Sequence, residues 1–220
     1  MPQKTVQKNS QSLISHREAS ADLRRVIGLS DGIFAFALTL LALDLRLPDI
    51  PNLTVESGLE GLLPKLLIFL ISFLIIGNQW DVHQRTFLHI AQADAKFALL
   101  NLLSLLFVII MPAAAAVLGR YPTQPLAIIC FGINSALLGL SSWLAWSHAC
   151  GGGHLLDSQA DPNLVVMISR LWFTTPVVFF LTIPLAFLNI YVVYILWLIL
   201  PVLSYVSIGM YMKQARQKRD

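Results

Sequence analysis

Six runs of mostly apolar residues, near 26–46, 62–83, 96–118, 124–147, 164–188 and 190–211, constrain this chain more than anything else in it. About 20 such residues are what an α-helix needs to cross a bilayer. A backbone crossing hydrocarbon must pair its own N–H and C=O groups, so each run reads as a helix. The predicted fold is therefore all-α, a polytopic membrane protein with six transmembrane helices. Only Leu188 and Asn189 separate the last two runs, so five helices is the competing count. Composition agrees: 12% of the 220 residues are charged and 56% are hydrophobic, against about one quarter charged in a soluble domain.

The formal charge of +3 would suggest nucleic acid in a soluble protein. Here the basic residues gather at the two ends, where they act as topology signals, and a nucleic-acid partner is not expected. Residues 1–23 read as a polar, mobile tail, 24–212 as the membrane domain and 213–220 as a basic tail. The first apolar run is too long for a signal peptide and five more follow, so Arg24 and Arg25 read as a topology anchor. Lys and Arg also mark the second connection, with Arg85 and Lys96, whereas the first holds Asp44, Asp49, Glu56 and Glu60 against Arg46 alone. Both termini and the second connection are thus predicted to be cytoplasmic. Cys130 and Cys150 are too few for a disulfide framework.

Ionisable and amide side chains inside spans are costly and mark function or a structural network. On a helical wheel of the first run, Arg25, Leu29, Gly32, Phe36, Leu40, Leu43 and Leu47 form one stripe, flanked by Thr39. Asp31 lies about 120° away, directed at neighbouring helices. The second run ends with Trp80, His83, Gln84 and Phe87 on one face. The third opens with Asp94 and carries Asn101 and Ser104 in line. Asp31, His83, Asp94 and Asn101 are expected to form one hydrogen-bonded cluster, with Arg24 or Arg25 as countercharge. Asn134, Ser141 and Ser142 read as glue between helices. Arg170, at the start of the fifth helix, reads as a snorkelling anchor.

Enzyme chemistry finds little support. The chain has no GxSxG elbow, no HExxH helix, no Walker loop and no GxGxxG turn. The loop containing His148, Cys150 and His154 offers metal-ligand residue types, but three consecutive glycines favour a turn, so neither a metal nor a cofactor is expected.

From Arg25 to Asp31 the sequence resembles the R-x-x-x-F-S-D signature of the transmembrane protein 175 family, the potassium channels of endosomes and lysosomes, and their short bacterial relatives. Leu29 stands where the family has phenylalanine. The likeness continues through Ser30, Trp80, His83, Asp94 and Asn101. It implies a homotetramer whose first helices line a central pore, in a bacterial inner membrane, passing potassium and other monovalent cations. It also implies that Phe36, Leu40 and Leu43 form apolar rings, Phe36 the narrowest, with Thr39 beside them. Asp44 would then enrich cations at the outer mouth, and Arg25 would turn aside to pair with Asp31 or Asp94. The alternative function is a secondary transporter or proton-coupled carrier using Asp31, His83 and Asp94 as a relay.

Overall fold

The computed structural model describes residues 2–46, 54–152 and 155–217. Among them are six long helices: α1 (Pro2–Leu41), α2 (Val55–Phe87), α3 (Ala95–Arg120), α4 (Pro125–Gly151), α5 (Pro162–Leu185) and α6 (Ile190–Gln217). Each contains a stretch long and apolar enough to cross a membrane. A 3-10 turn, Ala42–Asp44, ends the first span.

Six helices, not five, follow from the chemistry around residue 188. Pro184 cannot supply a backbone donor, and α5 ends one residue later. The side chain of Asn189 then accepts from Tyr191 N (3.0 Å) and Val192 N (3.3 Å), which starts α6.

The polar segment expected as a mobile tail is instead helical from Pro2 and continuous with the first span. No proline or glycine falls between residues 3 and 27, so nothing in the backbone halts the helix.

Helix α4 is the centre of the bundle: 61% of its most apolar window is buried, more than in any other described span. Small residues make this possible, because they let neighbouring backbones approach closely. A Cβ at Gly139 would lie only 2.8 Å from both Pro176 Cδ and Thr175 Cγ2 of α5. Asn134 reaches from α4 to the Phe107 carbonyl of α3 (3.0 Å), as glue of the expected kind. Ser141 does not cross; its hydroxyl returns to the Leu137 (2.8 Å) and Leu138 (3.0 Å) carbonyls of its own helix.

Each of the three large buried indoles finds a hydroxyl acceptor. Trp146 donates to Ser169 (2.8 Å), Trp172 to Thr86 (2.9 Å) and Trp197 to Thr182 (3.1 Å). Burying an indole without such a partner would leave its N–H unpaired in a medium with no water to take it.

The second and fourth connections meet on one side of the bundle. Ala91 N donates to the Leu155 carbonyl (2.8 Å) and Asp157 N to the His89 carbonyl (2.9 Å), around a bridge between Ile90 and Leu156.

Candidate functional site

Helix α1 has two apolar faces, and packing separates them. Ser30, Phe34, Ala37 and Leu41 are buried against α2 and α3. Their spacing of three and four residues makes one continuous ridge. The other face carries Leu29 (53% exposed), Phe36 (62%) and Leu43 (56%), with Gly32 and Thr39 also exposed and Leu40 half-buried. This open face coincides with the stripe read from the wheel as far as Leu43; Leu47 lies outside the described residues. Thr39 donates its hydroxyl to the Phe36 carbonyl (2.7 Å), so the proton is used within the helix and the oxygen remains an acceptor.

Two sets of polar contacts hold α1 in this orientation. In the first, the Asp31 carboxylate accepts from the Trp80 indole (3.1 Å) and from the Gln84 amide. Trp80 and Gln84 are one turn apart on α2, so their donors converge on one oxygen. Both donors are neutral, and each bond to the charged acceptor is worth about 1.5–3 kcal/mol.

The second set runs through three helices. Ser30 donates its only hydroxyl proton to the Val26 carbonyl (2.9 Å), leaving its oxygen as an acceptor. Asn101 of α3 therefore presents its amide nitrogen to Ser30 (3.0 Å), which turns its amide oxygen to His83 of α2. That oxygen can only accept, so His83 Nε2 carries a proton and donates across 2.9 Å. The imidazole lies between the rings of Phe34 (5.3 Å between centroids) and Phe87 (4.5 Å).

Asp94 belongs to neither set, which corrects the single cluster expected from sequence. It is the N-cap of α3, accepting from Phe97 N (2.7 Å), and its other oxygen accepts from His148 of α4 (2.8 Å). Its position before the first turn of a helix directs it at free backbone donors. Arg25 also departs from expectation. Its exposed guanidinium pairs with Asp22, three residues earlier (3.3 Å), and with neither Asp31 nor Asp94. Six residues of helix place Arg25 and Asp31 on different sides of α1, and both carboxylates already have their donors.

Asp44 is half-buried and turned toward α3, where a Cβ on Gly119 would come within 3.2 Å of its carboxylate. It shares a cavity of about 330 Å³ with Lys65 and Arg120. Two basic side chains line the cavity with this carboxylate, so it does not stand alone as the acidic outer mouth expected from sequence. Asp49 lies outside the described residues, as does His154 of the histidine and cysteine loop. Among the described residues no group of His, Cys, Asp and Glu is arranged to hold a metal.

Three contributors are not readable from the sequence: Gln84 as the second donor to Asp31, His148 as the partner of Asp94, and the basic pair that shares a cavity with Asp44. The spacing of Gln84 from Trp80 puts the two on one face but names no acceptor. The other two depend on helices far apart in the chain.

Residues 25–112 match the family described as endosomal/lysosomal potassium channel TMEM175. A potassium channel of Streptomyces collinus is 33% identical over 143 residues, which cover 62% of this chain and 69% of that protein. The chain belongs to the TMEM175 family. A potassium channel of Chamaesiphon minutus is 30% identical over 173 residues, 76% of this chain and 85% of the relative. The crystal structure of a lysosomal potassium-selective channel TMEM175 homologue from Chamaesiphon minutus superposes with a TM-score of 0.73 at 25% identity, covering 84% of this chain and 97% of that one. The segment matched to TMEM175 contains both polar sets and the exposed stripe of α1.

Proposed function

We propose that this protein is a potassium-preferring cation channel in which four copies place the exposed stripe of α1 around a central pore. The observation that carries this reading is that stripe. Leu29, Phe36 and Leu43 are left uncovered on a helix whose opposite ridge is buried and whose flank is fixed by Asp31. A lipid-facing helix has no need of such fixing, whereas a pore helix does, because a rotation moves every ring off the axis. The names of the bacterial relatives support potassium as the permeant ion.

In this reading Phe36 forms the narrowest ring, Leu40 and Leu43 continue the apolar wall and Thr39 offers oxygen acceptors beside it. Four phenyl rings would gate by dewetting and present π faces to a dehydrated cation. Other monovalent cations would pass less well. The membrane domain is residues 24–212, in a bacterial inner membrane. The connections at 88–94 and 152–161 and both termini would be cytoplasmic, consistent with the basic residues at the chain ends.

A carrier with an Asp31, His83 and Asp94 relay is less well supported. The three groups belong to separate sets of contacts, and the side chain hydrogen-bonded to His83 is Asn101.

The test is potassium flux through purified protein in liposomes, with the reversal potential measured in mixed cation gradients. Wild type should carry passive current reversing near the potassium potential. Phe36→Ala should raise the current and weaken cation discrimination. Unchanged current and selectivity in that variant would remove Phe36 from the constriction, and strict coupling to a second solute would replace the channel by a carrier.

A further inference from the structure

Among the described residues, Arg170 is a cation inside a span with nothing to balance it. Arg170 is the ninth residue of α5, about 12 Å along the helix from its start, not at the helix start as the sequence suggests. Among the described residues its guanidinium has neither a hydrogen bond nor an ion pair. An ionisable group at such a depth needs a partner or water.

The guanidinium lines a groove of about 490 Å³ between α5 and α6. Asn163, Ser204 and Ser207 give the groove polar groups, while Val166 and Leu203 are among its apolar lining, and no carboxylate is among the described residues that line it. Asp161, the N-cap of α5, is nine residues away, about 13 Å of helix rise. Its carboxylate accepts from Asn163 N (2.9 Å) and from the Tyr211 hydroxyl of α6. That second contact ties the two helices together beyond the groove.

A second copy of the chain is poorly equipped to supply the missing anion. Among the described carboxylates near this side of the bundle, Asp22 is paired with Arg25, Asp81 with Arg85 and Asp94 with His148, Asp31 is held by Trp80 and Gln84, and exposed Asp157 accepts from Gln159 N (2.9 Å). Asp44 and Glu60 lie at the other ends of their spans. A groove between two spans with a basic group and an apolar wall suits a phospholipid headgroup and its chain.

We propose that the α5–α6 groove binds one anionic phospholipid, its phosphate on Arg170 with the serine hydroxyls nearby, and one acyl chain along Val166 and Leu203. The site is independent of whether the protein conducts ions. In the test, the full chain is reconstituted in phosphatidylcholine nanodiscs containing a minor fraction of phosphatidylglycerol, and lipid retained after extraction is counted by native mass spectrometry. Wild type should retain phosphatidylglycerol in preference to phosphatidylcholine. Arg170→Gln should lower that retention about fivefold, and Arg170→Lys should keep most of it. Leu203→Trp, which fills the groove without touching the charge, should lower retention too and serves if Arg170→Gln does not fold.

No preference in wild type, or full retention in a folded Arg170→Gln variant of unchanged oligomer size, would overturn the proposal. A changed oligomer size with retention intact would give the groove to a second copy. Displacement of the lipid by inorganic phosphate would make the site one for free anions. Either result also overturns it.

Discussion

Replacing Asn101 by Leu removes a side chain that is hydrogen-bonded to both Ser30 and His83, and the structure sets the size of the loss. Asn101 is buried, donating to Ser30 (3.0 Å) and accepting from His83 (2.9 Å). A hydrogen bond between membrane helices averages about 0.6 kcal/mol and reaches about 1.7. Ser30 keeps its bond to Val26, but the imidazole N–H is orphaned between two phenyl rings, at a cost of about 1–3 kcal/mol. Asn101→Leu should therefore destabilise by roughly 2–4 kcal/mol. His83→Phe removes the orphan, and its ring enters a site already walled by Phe34 and Phe87. The double variant should thus lie within about 1 kcal/mol of wild type, because replacing both partners by apolar groups of similar shape leaves nothing unsatisfied. Steric-trapping measurements of unfolding in bicelles give all four corners of the cycle. If the single losses simply add in the double variant, with a coupling energy near zero, the Asn101–His83 bond is not holding α2 to α3 and the reasoning fails.

Other substitutions probe the remaining contacts. Asp31→Asn keeps the shape but replaces a charged acceptor by a neutral one facing two donors, so thermal unfolding of the purified protein should show a loss of about 1–2 kcal/mol; unchanged stability would contradict the anchoring role. Gly139→Ala must push α5 away from α4, since the new methyl would sit 2.8 Å from Pro176 and Thr175, and a loss of about 1–3 kcal/mol is expected in the same measurement. Ser72→Ala should raise stability by about 1 kcal/mol, because the Ser72 hydroxyl is buried on α2 with no hydrogen-bond partner among the described residues; a loss of stability would mean that it has one.

Much of the site was legible because it lies on local spacings. Trp80, His83 and Gln84 share a helix face by three- and four-residue steps, and Asp31 was placed off the apolar stripe by the same rule. What was not legible was which donor each acceptor receives. Asp94 had a partner 54 residues away in His148, and Arg25 found its partner three residues back. Spacing along one helix carries no information about the rotation of another.

The sequence by itself determined that the chain is a bundle of membrane-spanning helices, because crossing a bilayer is a property of length and hydropathy that each segment meets alone; the division of the last apolar stretch into α5 and α6 came from the cap at Asn189. It also determined that Ser30, Asp31, His83 and Asn101 would be turned inward, since exposing them to lipid is costly. Only the tertiary structure decided between the two apolar faces of α1, burying Phe34, Ala37 and Leu41 and leaving Leu29, Phe36 and Leu43 open. Lipid is as apolar as leucine, so hydrophobicity cannot choose between those faces. Shape, small-residue contacts and the two polar sets made the choice.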